Sequence, residues 1–276
     1  MRAMSVLYVI LGALLGWLAG ILVNVLADDL PPVGEEGGVG RLRRPHCRSC
    51  GAEHTRLRVT AIGRLMSGRR CPACGTPDDW RPLVVEIGFA LAFAWLTQWA
   101  EGDPVRYGLG AVVALIYGLI CVIDIEHRLI LWRTVWVSAV ALLAVALLRP
   151  DMGWQKALWG GAVGFALVFG VFLLGQAYAA WVARRRGQPL EEVAFGGGDV
   201  NLAALVGLTV GWPGVLVALF IGIFVGGAFA IVFILVQLAR KRYDPHQPIA
   251  YGPFLAIGAL VLFFFAPLVR GWLGAA

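Results

Sequence analysis

Residues 214–238 read GVLVALFIGIFVGGAFAIVFILVQL, without a single Asp, Glu, Lys or Arg. As a helix, this run would cross the roughly 30 Å hydrocarbon layer of a bilayer, where each backbone N–H and C=O must be satisfied inside the segment. Comparable runs recur along the 276 residues, of which 59% are hydrophobic and only 14% charged. The mean hydropathy of +0.78 lies outside the soluble range. A barrel would need alternating segments of roughly ten residues, and these runs do not alternate. The expected fold class is therefore an all-α polytopic membrane protein.

Working outward, about eight spans are expected, near 6–27, 83–100, 105–123, 130–148, 155–181, 199–213, 214–238 and 250–269. The first run, Val6 to Leu26, is too long for a signal-peptide core and lacks a small-x-small cleavage site before Asp28, so it reads as a retained span. The sixth is short, and Trp212-Pro213-Gly214 would turn it into the seventh; a re-entrant half-span is the competing reading.

Charge favours the crossing. Cytoplasmic loops carry the excess of Lys and Arg. With both termini outside, the inside holds ten arginines between Arg41 and Arg81, then Arg128, Arg133, Arg184-Arg185-Arg186 and Arg240-Lys241-Arg242. The outside keeps Arg2, Arg106, Arg149, Lys156 and Arg270. The net charge of +6 thus reflects topology and contact with the lipid bilayer, not a nucleic-acid footprint. Under this topology Asp124, closing the third span, and Asp199, opening the sixth, share the cytoplasmic side.

Those two residues carry the functional reading. A carboxylate at a membrane boundary is expensive and marks function by default. Two brought together titrate as a coupled pair, one protonated and one ionised. An aspartyl protease needs that pair, a base for water and an acid for the carbonyl oxygen. Gly196-Gly197-Gly198 before Asp199 would let a substrate backbone approach. The bland alternative is a pair of boundary residues ending their helices, Asp199 being acceptable at a helix start on dipole grounds. Glu126 is a weaker candidate for the same region and reads more readily as solvated. Glu86, at the start of the second span, is either functional or snorkelling to the interface. Glu191 and Glu192 could steer a basic substrate segment at low salt.

The division expected along the chain is a first span over 1–27, a polar module over 28–82 and a seven-helix membrane core over 83–276. The module holds Cys47-Arg48-Ser49-Cys50 and Cys71-Pro72-Ala73-Cys74, twenty residues apart, each followed by a glycine, Gly51 or Gly75. Two such knuckles can supply four thiolates to a structural zinc, with no open position for catalysis. Two disulfides or reduced thiols are the alternatives, and a cytoplasmic location argues against disulfides. His46 and His54 flank the first knuckle as surface residues, and Cys121 reads as packing.

Taken in order, these segments resemble the bacterial prepilin peptidases, also called type IV leader peptidases. Gly16-Trp17-Leu18-Ala19-Gly20 with Asn24-Val25 resembles their first-span motif. His46 to Cys50, Arg70 to Gly75 and Arg81-Pro82-Leu83-Val84-Val85-Glu86 resemble their cysteine domain and its exit. Ile123-Asp124-Ile125-Glu126 is similar to the first catalytic motif, Gly196-Gly197-Gly198-Asp199 to the GxGD motif, and Tyr251-Gly252-Pro253-Phe254 to the opening of the last span.

The resemblance implies an enzyme of the bacterial cytoplasmic (inner) membrane that cleaves the short basic leader from type IV prepilins and pseudopilins at the cytoplasmic face. Its cysteine domain implies the bifunctional type, which N-methylates the new terminus using S-adenosylmethionine. Leu131 and Asn201 depart from the family, which often has Pro and Lys there. Two other classes stay open: a proton- or cation-coupled transporter using the same aspartates, and a non-catalytic adaptor of a pilus or secretion machine.

Overall fold

The structure, a computed structural model, describes residues 2–31, 46–47, 49–53, 56–68, 70–186, 196–241 and 249–272. His54, Glu191 and Glu192 lie outside them. The helices are α1 (Arg2–Asp29), α2 (Ala61–Met66), α3 (Arg81–Trp99), α4 (Pro104–His127), α5 (Trp132–Leu147), α6 (Gly153–Arg186), α7 (Gly197–Val210), α8 (Gly214–Ala239) and α9 (Gly252–Trp272), with a 3₁₀ turn at Arg56–Val59. The described residues contain no β-strand, only the isolated bridges His46–Glu53 and Arg70–Pro77.

Among the described residues six helices, namely α1, α3, α4, α6, α8 and α9, are long and apolar enough to cross a membrane. Two more, Trp132–Leu147 and Gly197–Val210, are apolar but shorter. At 1.5 Å per residue they reach about 24 and 21 Å, less than the roughly 30 Å of a typical hydrocarbon core. Large apolar side chains point outward along the long helices, as with Phe220 at 68% and Phe224 at 69% exposure. An outward apolar surface suits lipid, and none of these helices needs a polar face.

The chain forms two compact units, Met1–Val122 and Ile123–Ala276. In the first, α1 runs antiparallel to α3 along a stripe of glycines. A Cβ on Gly12 would meet Thr97, one on Gly16 would meet Phe89 and Phe93, and one on Gly20 would meet the Glu86 backbone. Small residues let the backbones approach, which is how helices associate without a hydrophobic drive between them. The open end of this hairpin is tied by Arg81 to Asp28 at 2.8 Å and by Asn24 Nδ2 donating to Pro82 O at 3.2 Å.

In the second unit α7 is the central element, in contact with α5, α6, α8 and α9. Val200, Leu202, Ala203, Leu205, Val206 and Gly207 are buried along it. Its closest crossing is with α6, where a Cβ on Gly160 or on Gly207 would run into the other helix's backbone. Gly207→Leu is therefore expected to lower the thermal unfolding midpoint in detergent sharply, since overpacking at backbone contact costs at least about 1–3 kcal/mol. Gly227→Ala, where an added Cβ meets no atom within 4 Å, should leave the midpoint unchanged.

Candidate active site

Asp124 and Asp199 come from opposite kinds of helix end. Asp124 stands in the last turn of α4, where its carbonyl accepts the Arg128 N–H at 2.8 Å. Arg128 then takes a left-handed backbone conformation, φ +54°, and the chain turns away towards α5. Asp199 is the third residue of α7, in its first turn, where unsatisfied N–H groups favour a carboxylate. Its Oδ2 accepts the Gly196 N–H at 3.3 Å, reaching back to the residue before the helix.

Asp124 finds its donor far along the chain. Its Oδ2 accepts the Gly252 N–H at 2.9 Å, and Gly252 is the first residue of α9. Each carboxylate is thus held by one N–H at the mouth of a helix. The side chains lie close enough for their charges to interact. Asp124 is 5% exposed, whereas Asp199 is partly exposed beside the exposed Gly196 and Gly197. Of the two carboxylates, Asp199 is thus on the more exposed side.

The remaining candidates separate clearly. Gly198 packs on Ile130, where a Cβ would stand 3.0 Å from the Ile130 Cβ, while one on Gly197 would meet open space. Glu126 lies two positions beyond Asp124, and residues so spaced do not share a helix face. Its side chain is 16% exposed and sits 3.8 Å from His127 Nε2. Leu131 is the N-cap of α5 in an extended conformation, φ −72° and ψ 129°, so α5 starts without a proline. In sequence, Tyr251 and Gly252 mark only the opening of a span. The structure brings Gly252 onto Asp124 and Tyr251 within electrostatic reach of Asp199. Arg128, whose charge acts on Asp124, stands out in sequence only as a topology marker. The available signal for Gly252 was a Gly-Pro pair starting a helix, a place where N–H donors are free.

In the first unit the four thiols converge. The sulfurs of Cys47, Cys50, Cys71 and Cys74 all lie within 4.8 Å of one another, with Cys47–Cys74 at 3.7 Å and Cys50–Cys71 at 3.9 Å. A tetrahedral zinc with bonds of about 2.3 Å would set sulfurs about 3.8 Å apart. The knuckles repeat one geometry: Gly51 N–H donates to Cys47 O at 2.8 Å and Gly75 N–H to Cys71 O at 2.9 Å. Gly51 and Gly75 both have φ +71°, the left-handed region that glycine occupies without penalty.

The donor set also asks for a cation. The Thr76 hydroxyl, followed by its N–H, pulls the Cys74 thiol down to about 6. The N–H groups of Cys50 and Ser49 lower Cys47. The Ala52 N–H also acts to lower Cys50, but the neighbouring sulfurs, Cys74 foremost, outweigh it and push that thiol up to about 12. Four sulfurs this close cannot all ionise unaided, and a divalent ion removes the conflict. Cys121 lies away in α4, partly buried.

Glu86 does not snorkel. It is 1% exposed, and both oxygens are taken, Oε2 by the Trp17 indole N–H and Oε1 by the Ala61 N–H, each at 2.8 Å.

The type IV leader peptidase family is matched over residues 111–231, a stretch containing both aspartates. Over that stretch the chain is similar to the type IV leader peptidase family. Over its length it is similar to the prepilin leader peptidase/N-methyltransferase of Stutzerimonas stutzeri, 25% identical over 92% of this chain and 89% of that protein. The protein of the same name from Dickeya chrysanthemi is 27% identical over 94% and 93%. That from Bacillus subtilis is 27% identical over 75% of each chain. No solved structure matches. The family's matched stretch covers α4 from residue 111 through most of α8, so it holds both aspartates but neither the cysteine module nor Gly252.

Proposed function

We propose that this chain is a membrane aspartyl endopeptidase that removes the short basic leader from type IV prepilins and prepilin-like secretion subunits, and that it N-methylates the new terminus. The observation carrying the first activity is the meeting of Asp124 and Asp199 at helix ends, each oriented by a helix-start N–H. The names of the relatives support both activities.

The chemistry follows from two carboxyl groups sharing one proton. The ionised member takes a proton from a water, and that water attacks the scissile carbonyl carbon. The protonated member donates to the carbonyl oxygen, giving a tetrahedral diol with no covalent bond to the enzyme. Collapse breaks the C–N bond as a proton passes to the leaving amine, and the pair returns to its starting state. The Gly196 and Gly252 N–H groups hold one oxygen of each carboxylate, leaving the other free for water and substrate.

Eight crossings, with α5 and α7 as the short ones and both termini outside, would put the pair at the cytoplasmic face of the inner membrane, where a basic leader lies. The charge distribution between loops supports that orientation. The apolar helix of the substrate would lie in the bilayer beside the bundle. S-adenosylmethionine, implied by the relatives' names, would supply the methyl group, and no residue of this chain is assigned to holding it.

The module over 28–82 is proposed to hold one structural zinc through Cys47, Cys50, Cys71 and Cys74, which would order a segment too polar to build its own core. Elemental analysis of the purified protein should find one zinc per chain, and serine at any of the four cysteines should release it. Such variants should become protease-sensitive in this segment. Wild-type protein free of metal after chelator-free preparation would sink the zinc assignment.

The peptidase itself is tested by incubating purified protein in detergent with a peptide carrying a basic leader and an apolar helix. A single cut at the junction supports the reading. An intact peptide, with the enzyme monodisperse and folded, refutes it.

A further inference from the structure

The Glu86 carboxylate is buried in the second turn of α3, and its two oxygens answer to different parts of the first unit. Oε2 accepts from Trp17 in α1, at the centre of the glycine stripe. Oε1 accepts from Ala61, the first residue of α2 in the cysteine module. Arg64, on the same short helix, adds a positive charge facing the carboxylate. Gly20 makes the approach possible, since a Cβ there would lie 2.7 Å from the Glu86 Cα.

From α2 the contacts continue to the knuckles. Arg64 Nε donates to Arg58 O at 2.9 Å, and Arg58 Nη2 donates to Arg70 O at 2.7 Å, one residue before Cys71. Arg58 is 3% exposed and also meets Asp78 at 3.4 Å. Hydrogen bonds joined by short stretches of chain, Arg70 to Cys71 and Ala61 to Arg64, thus lead from the second knuckle to the indole of a membrane helix.

We infer that Glu86 is the clamp through which the metal-loaded cysteine module and the α1–α3 hairpin hold one another, so that metal binding and the Trp17–Glu86 contact are thermodynamically coupled. This rests on the zinc reading above. A six-residue helix does not persist by itself in water, so α2 depends on the folded module. Losing the metal loosens the module and withdraws the Ala61 N–H, which leaves a buried carboxylate short of a partner. Linkage then runs both ways: metal binding and the clamp strengthen one another by the same factor, and removing the clamp removes that gain in metal affinity. If Glu86 only fastened α1 to α3, zinc affinity would be indifferent to it.

The test uses the full-length protein in detergent, with zinc affinity measured by chelator competition. Trp17→Phe and Glu86→Gln are each expected to weaken zinc binding about tenfold, the worth of one hydrogen bond, although neither touches a sulfur. The double variant should lose less than the product of the two, because both act through one carboxylate. In the reciprocal direction, the indole N–H resonance of Trp17, identified by its absence in Trp17→Phe, should shift when the parent is stripped of zinc.

Unchanged zinc affinity in a folded Trp17→Phe overturns the coupling, as does a Trp17 resonance indifferent to stripping. Trp17→Phe keeps the carboxylate and a similar shape, so it decides the matter even where Glu86→Gln fails to fold. A parent that binds no zinc removes the zinc reading and this inference with it, an outcome distinct from a parent that binds zinc as tightly as its variants.

Discussion

Asp124→Asn and Asp199→Asn are each expected to reduce cleavage of a prepilin peptide by roughly 10²–10⁴-fold, the contribution of a positioned general acid or base. In an end-point assay that reads as no product. An amide has the volume of the carboxyl group but cannot take a proton from water or return one to the carbonyl oxygen. The fold should survive. An Asn oxygen at 124 can still accept from the Gly252 N–H, and one at 199 from the Gly196 N–H, so the helix ends stay capped. Normal zinc content and an unchanged unfolding midpoint would confirm that only the chemistry is lost. Glu126→Gln is the control, because position 126 points away from the face that carries Asp124, and it should keep turnover near the parent's. Near-parent activity in either aspartate variant would end the dyad assignment. Loss of both cleavage and fold would mean that the carboxylates are structural.

The same experiment separates the enzyme from its rivals. A transporter using these aspartates would lose coupled flux in the Asn variants but would never have cut the peptide. An adaptor would show neither activity.

What the sequence made legible was set by local chemistry. The apolar runs announce their helices because a bilayer tolerates only helices and closed barrels, and unbroken apolar runs do not alternate as barrel strands would. Within a few residues, α3, α4, α6 and α8 lie where hydropathy put them. The cysteine knuckles were readable because CxxC followed by glycine is a closed local unit, and the four sulfurs do converge. The aspartates were readable as costly residues at boundaries. Their donors were not. The bond from Gly252 to Asp124 joins residues 128 positions apart, and no periodicity carries such information. In sequence Glu86 stands between two roles because burial decides between them: at 1% exposure it is neither snorkelling nor open to solvent. The three glycines before Asp199 look equivalent in sequence, but only Gly198 has a neighbour, Ile130, close enough to crowd a side chain.

Gly252→Ala is expected to cost about a hundredfold in turnover while leaving the helices intact. The new Cβ would lie 2.5 Å from Asp124 Oδ2 and 3.0 Å from its Cγ, with Leu202 Cδ2 at 3.3 Å closing the other side. Contacts that short do not persist, so the Asp124 carboxylate must swing away or the start of α9 must withdraw. Either movement lengthens the 2.9 Å bond that orients the carboxylate and shifts it by a substantial part of an ångström relative to Asp199. A displacement of about 1 Å in a reacting group costs on the order of 10²-fold. Substrate capture depends on other surfaces, so the loss should fall on kcat with KM little changed. A graded series makes the steric argument specific. Gly197→Ala enters open space and should keep turnover, and Gly198→Ala, pressing on Ile130 at 3.0 Å, should fall between. If Gly252→Ala cleaved at the parent rate, the Gly252 N–H would have no part in positioning Asp124. If Gly197→Ala were instead the damaging change in a folded protein, the space above Gly197 would belong to the substrate backbone, and the exposed glycine run would be a binding surface in its own right.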